Sequence, residues 1–135
     1  MCQWINCVDS YKTKVQLRKE NVILEKTISF SLAVIDFCEV LNKQQRQVIS
    51  RQLLKSATSI GANVHEAQNC ESKADFVHKM KIAAKEAEET KYWLTLCERS
   101  DKYPFDEKLK LAIKDINLII YKILSTSIKN NKLKW

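Results

Sequence analysis

The chain has 135 residues, a single glycine, a single proline and a formal charge of +7. One domain of this length buries a core without a metal or disulfide staple, and so few turn formers exclude a β-sandwich and argue against a mixed α/β fold. Five cysteines, at 2, 7, 38, 70 and 97, form an odd set with no Cys-x-x-Cys pair, and no stretch approaches the ~20 apolar residues of a membrane span, which predicts a cytoplasmic protein with reduced thiols.

The charge is uneven. Lys12, Lys14, Arg18 and Lys19 against Asp9 and Glu20 give residues 1–20 a net of +2, and Lys129, Lys132 and Lys134 give residues 129–135 a net of +3. The remaining +2 is spread over the body, so the basic character is mainly terminal. Basic ends of this kind either engage phosphate or solubilise the chain.

Residues 1–20 have no clean period and read as a loosely ordered or separately docked N-terminal arm. From residue 21 a helical pattern begins, with Ile23, Thr27, Phe30, Val34, Phe37 and Leu41 spaced by four and three, and it predicts a first helix over 21–42. A short polar link follows, which permits only an antiparallel neighbour. The second helix spans 45–69 on the apolar row Leu53, Ala57, Ile60, Val64 and Ala67, and it contains Gly61. A mid-helix glycine costs about 1 kcal/mol relative to alanine, so Gly61 beside Ala57, Ser59 and Ala62 marks a close approach of another helix.

Ser72 with Asp75 three residues later has the form of a capping box, and it opens a third helix that ends near Arg99. Its apolar row is Phe76, Met80, Ala83, Ala87, Thr90 and Leu94. A second link containing Pro104 leads to a fourth helix carrying Leu109, Ile113, Ile116, Ile120 and Ile123. Four stripes of this kind are buried most simply in an all-α, antiparallel up-down four-helix bundle over residues 21–128, with 129–135 as a basic C-terminal tail.

Beside the apolar rows of the second and third helices run polar ones. Gln52, Ser56, Ser59, Asn63 and Glu66 form the first, and Lys79, Ile82, Glu86, Glu89 and Trp93 the second. The serines are too short for an ordinary solvated face, and Ile82 and Trp93 interrupt the second row. Ser56, Ser59, Asn63, Glu66, Glu86, Glu89 and Trp93 are therefore candidate interface residues, between helices or between subunits.

Catalytic chemistry finds no foothold in the sequence. His78 follows Asp75 and His65 precedes Glu66, so the duplicated Glu-x-x-His of a di-iron bundle is missing, and Asn69 stands where a zinc-protease helix needs its second histidine. Cys38 and Cys97 lie in apolar rows where thiols are inert packing. No catalytic residue, metal ligand or cofactor is assigned.

The run from Arg51 through Lys-Ser-Ala-Thr-Ser-Ile-Gly-Ala-Asn-Val-His to Glu66, followed by Asp75-Phe76, Lys79, Lys85-Glu86-Ala87, Glu89-Thr90 and Tyr92-Trp93-Leu94, resembles the four-helix bundle proteins encoded in intervening sequences of bacterial 23S rRNA genes. The resemblance covers about residues 21–128. It implies an up-down bundle assembled as a homopentameric ring, without enzymatic activity, and similar to the accessory proteins of diversity-generating retroelements, which bind nucleic acid beside a reverse transcriptase. The expected partners are thus further copies of the chain, RNA or DNA, and a protein such as a reverse transcriptase. Candidate phosphate contacts are Arg46, Arg51 and Lys55 on the second helix, Lys110 and Lys114 on the fourth, and Lys129, Lys132 and Lys134 in the tail, where Trp135 offers a ring for stacking. The alternative is a protein-interaction module that binds no nucleic acid.

Overall fold

A computed structural model describes the backbone of residues 14–132 and the side chains of residues 22–129. Four helices account for nearly all of it: α1 (Lys14–Lys43), α2 (Gln47–Ala67), α3 (Lys73–Arg99) and α4 (Glu107–Lys132). Each packs on its neighbours in sequence, and α1 also packs on α4, whereas among the described residues the backbones of the diagonal pairs, α1 with α3 and α2 with α4, stay more than 8 Å apart. The helices therefore sit at the corners of a four-sided bundle.

Contacting pairs show the direction of travel. Cys38 meets Ser50 and Thr27 meets Gly61 between α1 and α2. Ser56 meets Thr90 and Glu66 meets Lys79 between α2 and α3, while Glu88 meets Asn117 and Glu98 meets Lys110 between α3 and α4. In every case the partner's number falls as the first number rises, so successive helices are antiparallel.

Every residue of the four apolar rows is buried, from Ile23 to Leu41 on α1 through Leu109 to Ile123 on α4. Burial of these stripes holds the helices, because most helical stability in a protein comes from packing an amphipathic face rather than from intrinsic propensity. The sequence pattern does not mark the helix ends as well. The first helix starts at Lys14, inside the segment read as an arm, and residues 1–13 lie outside the described residues. Residues 14–20 contain no glycine or proline to stop a helix, so α1 runs past the point where its apolar row ends. Likewise α4 continues to Lys132, into the segment read as a tail, and residues 133–135 are outside the described residues.

The first link differs in register from the expected one. The amide of Gln45 donates to Asn42 O at 3.0 Å, and that of Arg46 donates to Leu41 O at 2.9 Å. Gln45 itself has φ 59. This is a Schellman ending with glutamine in the left-handed position that glycine usually fills, and it moves the start of α2 from residue 45 to Gln47. At α3 the expected cap is present: Ser72 Oγ accepts from the Asp75 amide at 3.0 Å, and Asp75 Oδ2 accepts from the Glu71 amide at 3.2 Å.

Candidate functional site

The two polar rows face each other along the α2–α3 edge, and their side chains divide into two groups. Ser56 and Thr90 are both buried, with their hydroxyl oxygens 2.9 Å apart. Leu53 O also lies within reach of Ser56, and Glu86 O within reach of Thr90, at 3.2 and 2.8 Å. Two hydroxyl protons thus serve three contacts, and one of them bridges the helices. Glu66 accepts from Lys79 at 3.1 Å, a second cross-helix link, on the exposed rim.

The other candidates spend their hydrogen bonds on their own helix. Ser59 donates to Lys55 O at 2.6 Å, Asn63 donates to Ser59 O at 2.8 Å, and Trp93 Nε1 donates to Glu89 at 3.2 Å. Ser59, Asn63, Glu86 and Trp93 remain partly exposed. Burial, followed by the charge of Glu89, pushes the Glu86 carboxyl above its ordinary value of 4.5, and Lys55 pulls it back. A raised folded-state value means that the stability from this group is fully present below the unfolded carboxylate value and is lost as pH rises through the folded one. Glu86→Gln should therefore raise the melting temperature at neutral pH and leave it unchanged below 4.5, as thermal denaturation at the two pH values would reveal.

The candidate phosphate contacts do not form one patch. Arg46, Arg51 and Lys110 lie toward the end of the bundle that carries the 44–46 and 100–106 links, whereas Lys129 and Lys132 lie toward the far end of α4. By helical rise, Lys110 and Lys129 stand about 28 Å apart. Arg46 is half-buried, with its guanidinium 5.0 Å from the Tyr103 ring centre, a contact that the sequence did not suggest. Lys110 donates to Glu98, which raises its pKa, and it also lies 6.0 Å from the Phe105 ring centre. Arg51, Lys114 and Lys129 are exposed and form no ion pair among the described residues, and Lys55 is exposed with Glu86 nearby. The side chain of Lys132 and all of Lys134 and Trp135 are outside the described residues.

Residues 19–125 match the family described as 23S rRNA-intervening sequence protein. The chain belongs to this family. A solved structure of a protein of unknown function from the S23 ribosomal protein family of Bacteroides thetaiotaomicron VPI-5482 is 37% identical, with a TM-score of 0.75 over 79% of this chain and 98% of that one. No curated protein matches. The family match begins within α1 and ends within α4, so the intervening-sequence protein unit is the helical bundle itself.

Surface features of this family member also include apolar side chains outside the core rows. Ile28, Leu32 and Ile35 on α1, and Leu111, Leu118 and Tyr121 on α4, are each at least 40% exposed. Their signal in the sequence is a second stripe at helical spacing, offset from the buried one. Among the described residues no cluster of histidine, cysteine and carboxylate groups could hold a metal ion, and no helix is long and apolar enough to cross a membrane.

Proposed function

We propose that this chain is a non-enzymatic, homo-oligomeric bundle that binds RNA or DNA as an accessory protein in the cytoplasm. The observation that carries the reading is the distribution of cations: Lys26, Lys79 and Lys110 are occupied by Asp115, Glu66 and Glu98, while Arg51, Lys114 and Lys129 stay exposed without such partners among the described residues. Exposed, uncommitted lysine and arginine recognise phosphate rather than base edges. Because the cations are dispersed around one bundle, a single copy offers only weak contacts, and repetition in a ring multiplies them. Five copies is the number that the family resemblance implies.

Binding of labelled single-stranded and duplex RNA and DNA at low salt tests this directly. The expected result is binding with little sequence preference, weakening steeply as salt rises. The exposed apolar side chains favour a second reading, a module for a protein partner such as a reverse transcriptase. No binding of any nucleic acid at low salt, together with a tightly co-purifying protein, would decide for that reading.

A further inference from the structure

A groove of about 420 Å³ runs between α3 and α4, within the roughly 300–1,000 Å³ that small-molecule sites occupy. Leu94 and Ile113, both nearly inaccessible, form its apolar floor, and the exposed Leu118 stands at its rim. Asn117 also lines the groove and is only 8% exposed. Its Nδ2 donates to Glu88 Oε1 at 3.4 Å, which orients the amide and leaves Oδ1 as a buried acceptor with no hydrogen-bond partner. A buried amide oxygen without a donor is rare in a folded protein and calls for a reason. Here a donor has a way in. The contacts from Asn117 and from the Tyr121 hydroxyl to Glu88, at 3.4 and 3.5 Å, are longer than ordinary hydrogen bonds, and the Tyr121 side chain is exposed, so amide and phenol are free to turn toward the groove.

The charges around the groove are of both signs. Glu88 is exposed, is reached by neutral donors, and forms no ion pair among the described residues. Lys91 and Lys114 line the same groove, exposed and likewise without an ion pair there. Because Glu88 faces Asn117 across antiparallel helices, Lys91 faces Lys114 three residues further along, about 4.5 Å by helical rise. Beyond them Glu98 and Lys110 neutralise each other. One level of the groove therefore holds a carboxylate and an orphan acceptor, and the next holds two facing ammonium groups. A purely anionic ligand meets Glu88, a purely cationic one meets the lysines, and like charges brought together oppose binding. We infer that this groove binds a free α-amino acid with an apolar side chain. The ammonium donates to Glu88 and to Asn117 Oδ1, the carboxylate lies between Lys91 and Lys114, and the side chain rests on Leu94, Ile113 and Leu118. The site stands apart from the nucleic-acid reading, although both draw on Lys114.

Isothermal titration calorimetry of the full chain with L-leucine, L-methionine and L-phenylalanine tests the assignment. At least one of them should bind with a stoichiometry of one per chain. For that amino acid, the α-amide lacks the carboxylate and the desamino acid lacks the ammonium, and each should bind at least about tenfold more weakly, the usual worth of a hydrogen bond to a charged group. Glu88→Gln and Lys114→Gln should weaken binding by a similar factor. Both side chains are exposed, so each variant should keep its bundle, which a melting curve checks. Asn117→Leu should abolish binding, and Glu88→Gln probes the same end of the groove without touching the core. No saturable heat from any of the three amino acids at millimolar concentration would overturn the site. Equal affinity for the α-amide would overturn the place of the carboxylate between the lysines. Wild-type affinity in Glu88→Gln and Asn117→Leu would overturn the place of the ammonium.

Discussion

Gly61→Leu should destabilise the bundle by about 3 kcal/mol or more, at or beyond the upper end of ordinary overpacking. Gly61 is buried, and a Cβ there would stand 3.2 Å from Thr27 Cβ and 3.4 Å from its Oγ1. Thr27 is itself buried, and its hydroxyl donates to Leu24 O at 2.9 Å. The crowded atom is thus the first one off the α1 backbone, and it cannot swing aside as the tip of a long side chain would. A leucine must push α1 away from α2 or force a strained rotamer. Alanine is a different case: it gains about 1 kcal/mol of helix propensity and loses a comparable amount to crowding, so it should be nearly neutral. Urea denaturation of both variants separates the two effects. Equal stability of the alanine and leucine variants would show that α1 and α2 are not in close approach here.

Ile120→Ala should remove about 2–5 kcal/mol, the usual range for truncating a fully buried isoleucine. Ile120 has no exposed surface and continues a ladder with Ile113, Ile116 and Ile123, all nearly inaccessible. The β-branched side chain leaves a void that a helix backbone cannot collapse to fill. For a domain whose whole stability is on the order of 5–15 kcal/mol, such a loss is a large share. Lys122→Ala, two residues away on the exposed side of α4, should change stability by no more than about 0.5 kcal/mol. The contrast between the two, read from denaturant midpoints, measures how far one face of α4 carries the fold.

Both predictions concern the part of the molecule that was most legible in the sequence. All the residues placed in the apolar rows by their spacing are buried, because a period of four and three leaves one side of a helix no other role in a bundle. A glycine in mid-helix beside alanines and a serine marks a close approach, and Thr27 is what approaches Gly61. The capping pair at Ser72 and Asp75 was visible because its chemistry is local.

Features that depend on neighbours outside the local window were less legible. The start of α1 at Lys14 escaped because the core row begins only at Ile23, and helix-forming residues extend a helix without leaving an apolar trace. Gln45 in the left-handed region gives no warning, since its conformation is set by the Arg46 amide reaching Leu41 O. The polar rows were found, but spacing alone does not reveal whether a side chain reaches across or turns back. Ser56 and Glu66 reach across, whereas Ser59 and Asn63 bond carbonyls of their own helix. Nor did spacing distinguish Lys110, held by Glu98, from Lys114, which has no ion pair among the described residues.

The most direct measurement of the proposed function is the dissociation constant for labelled single-stranded RNA as a function of salt, for the wild type and for a variant with Lys129, Lys132 and Lys134 replaced by alanine. If these lysines neutralise phosphate, the wild type should show a steep log–log slope, and the variant's slope should be shallower by about 2, at about 0.7 per lost contact on each binding unit. The same slope for both proteins would remove the C-terminal lysines from the contact. A dissociation constant that does not change with salt would contradict phosphate recognition by this bundle altogether.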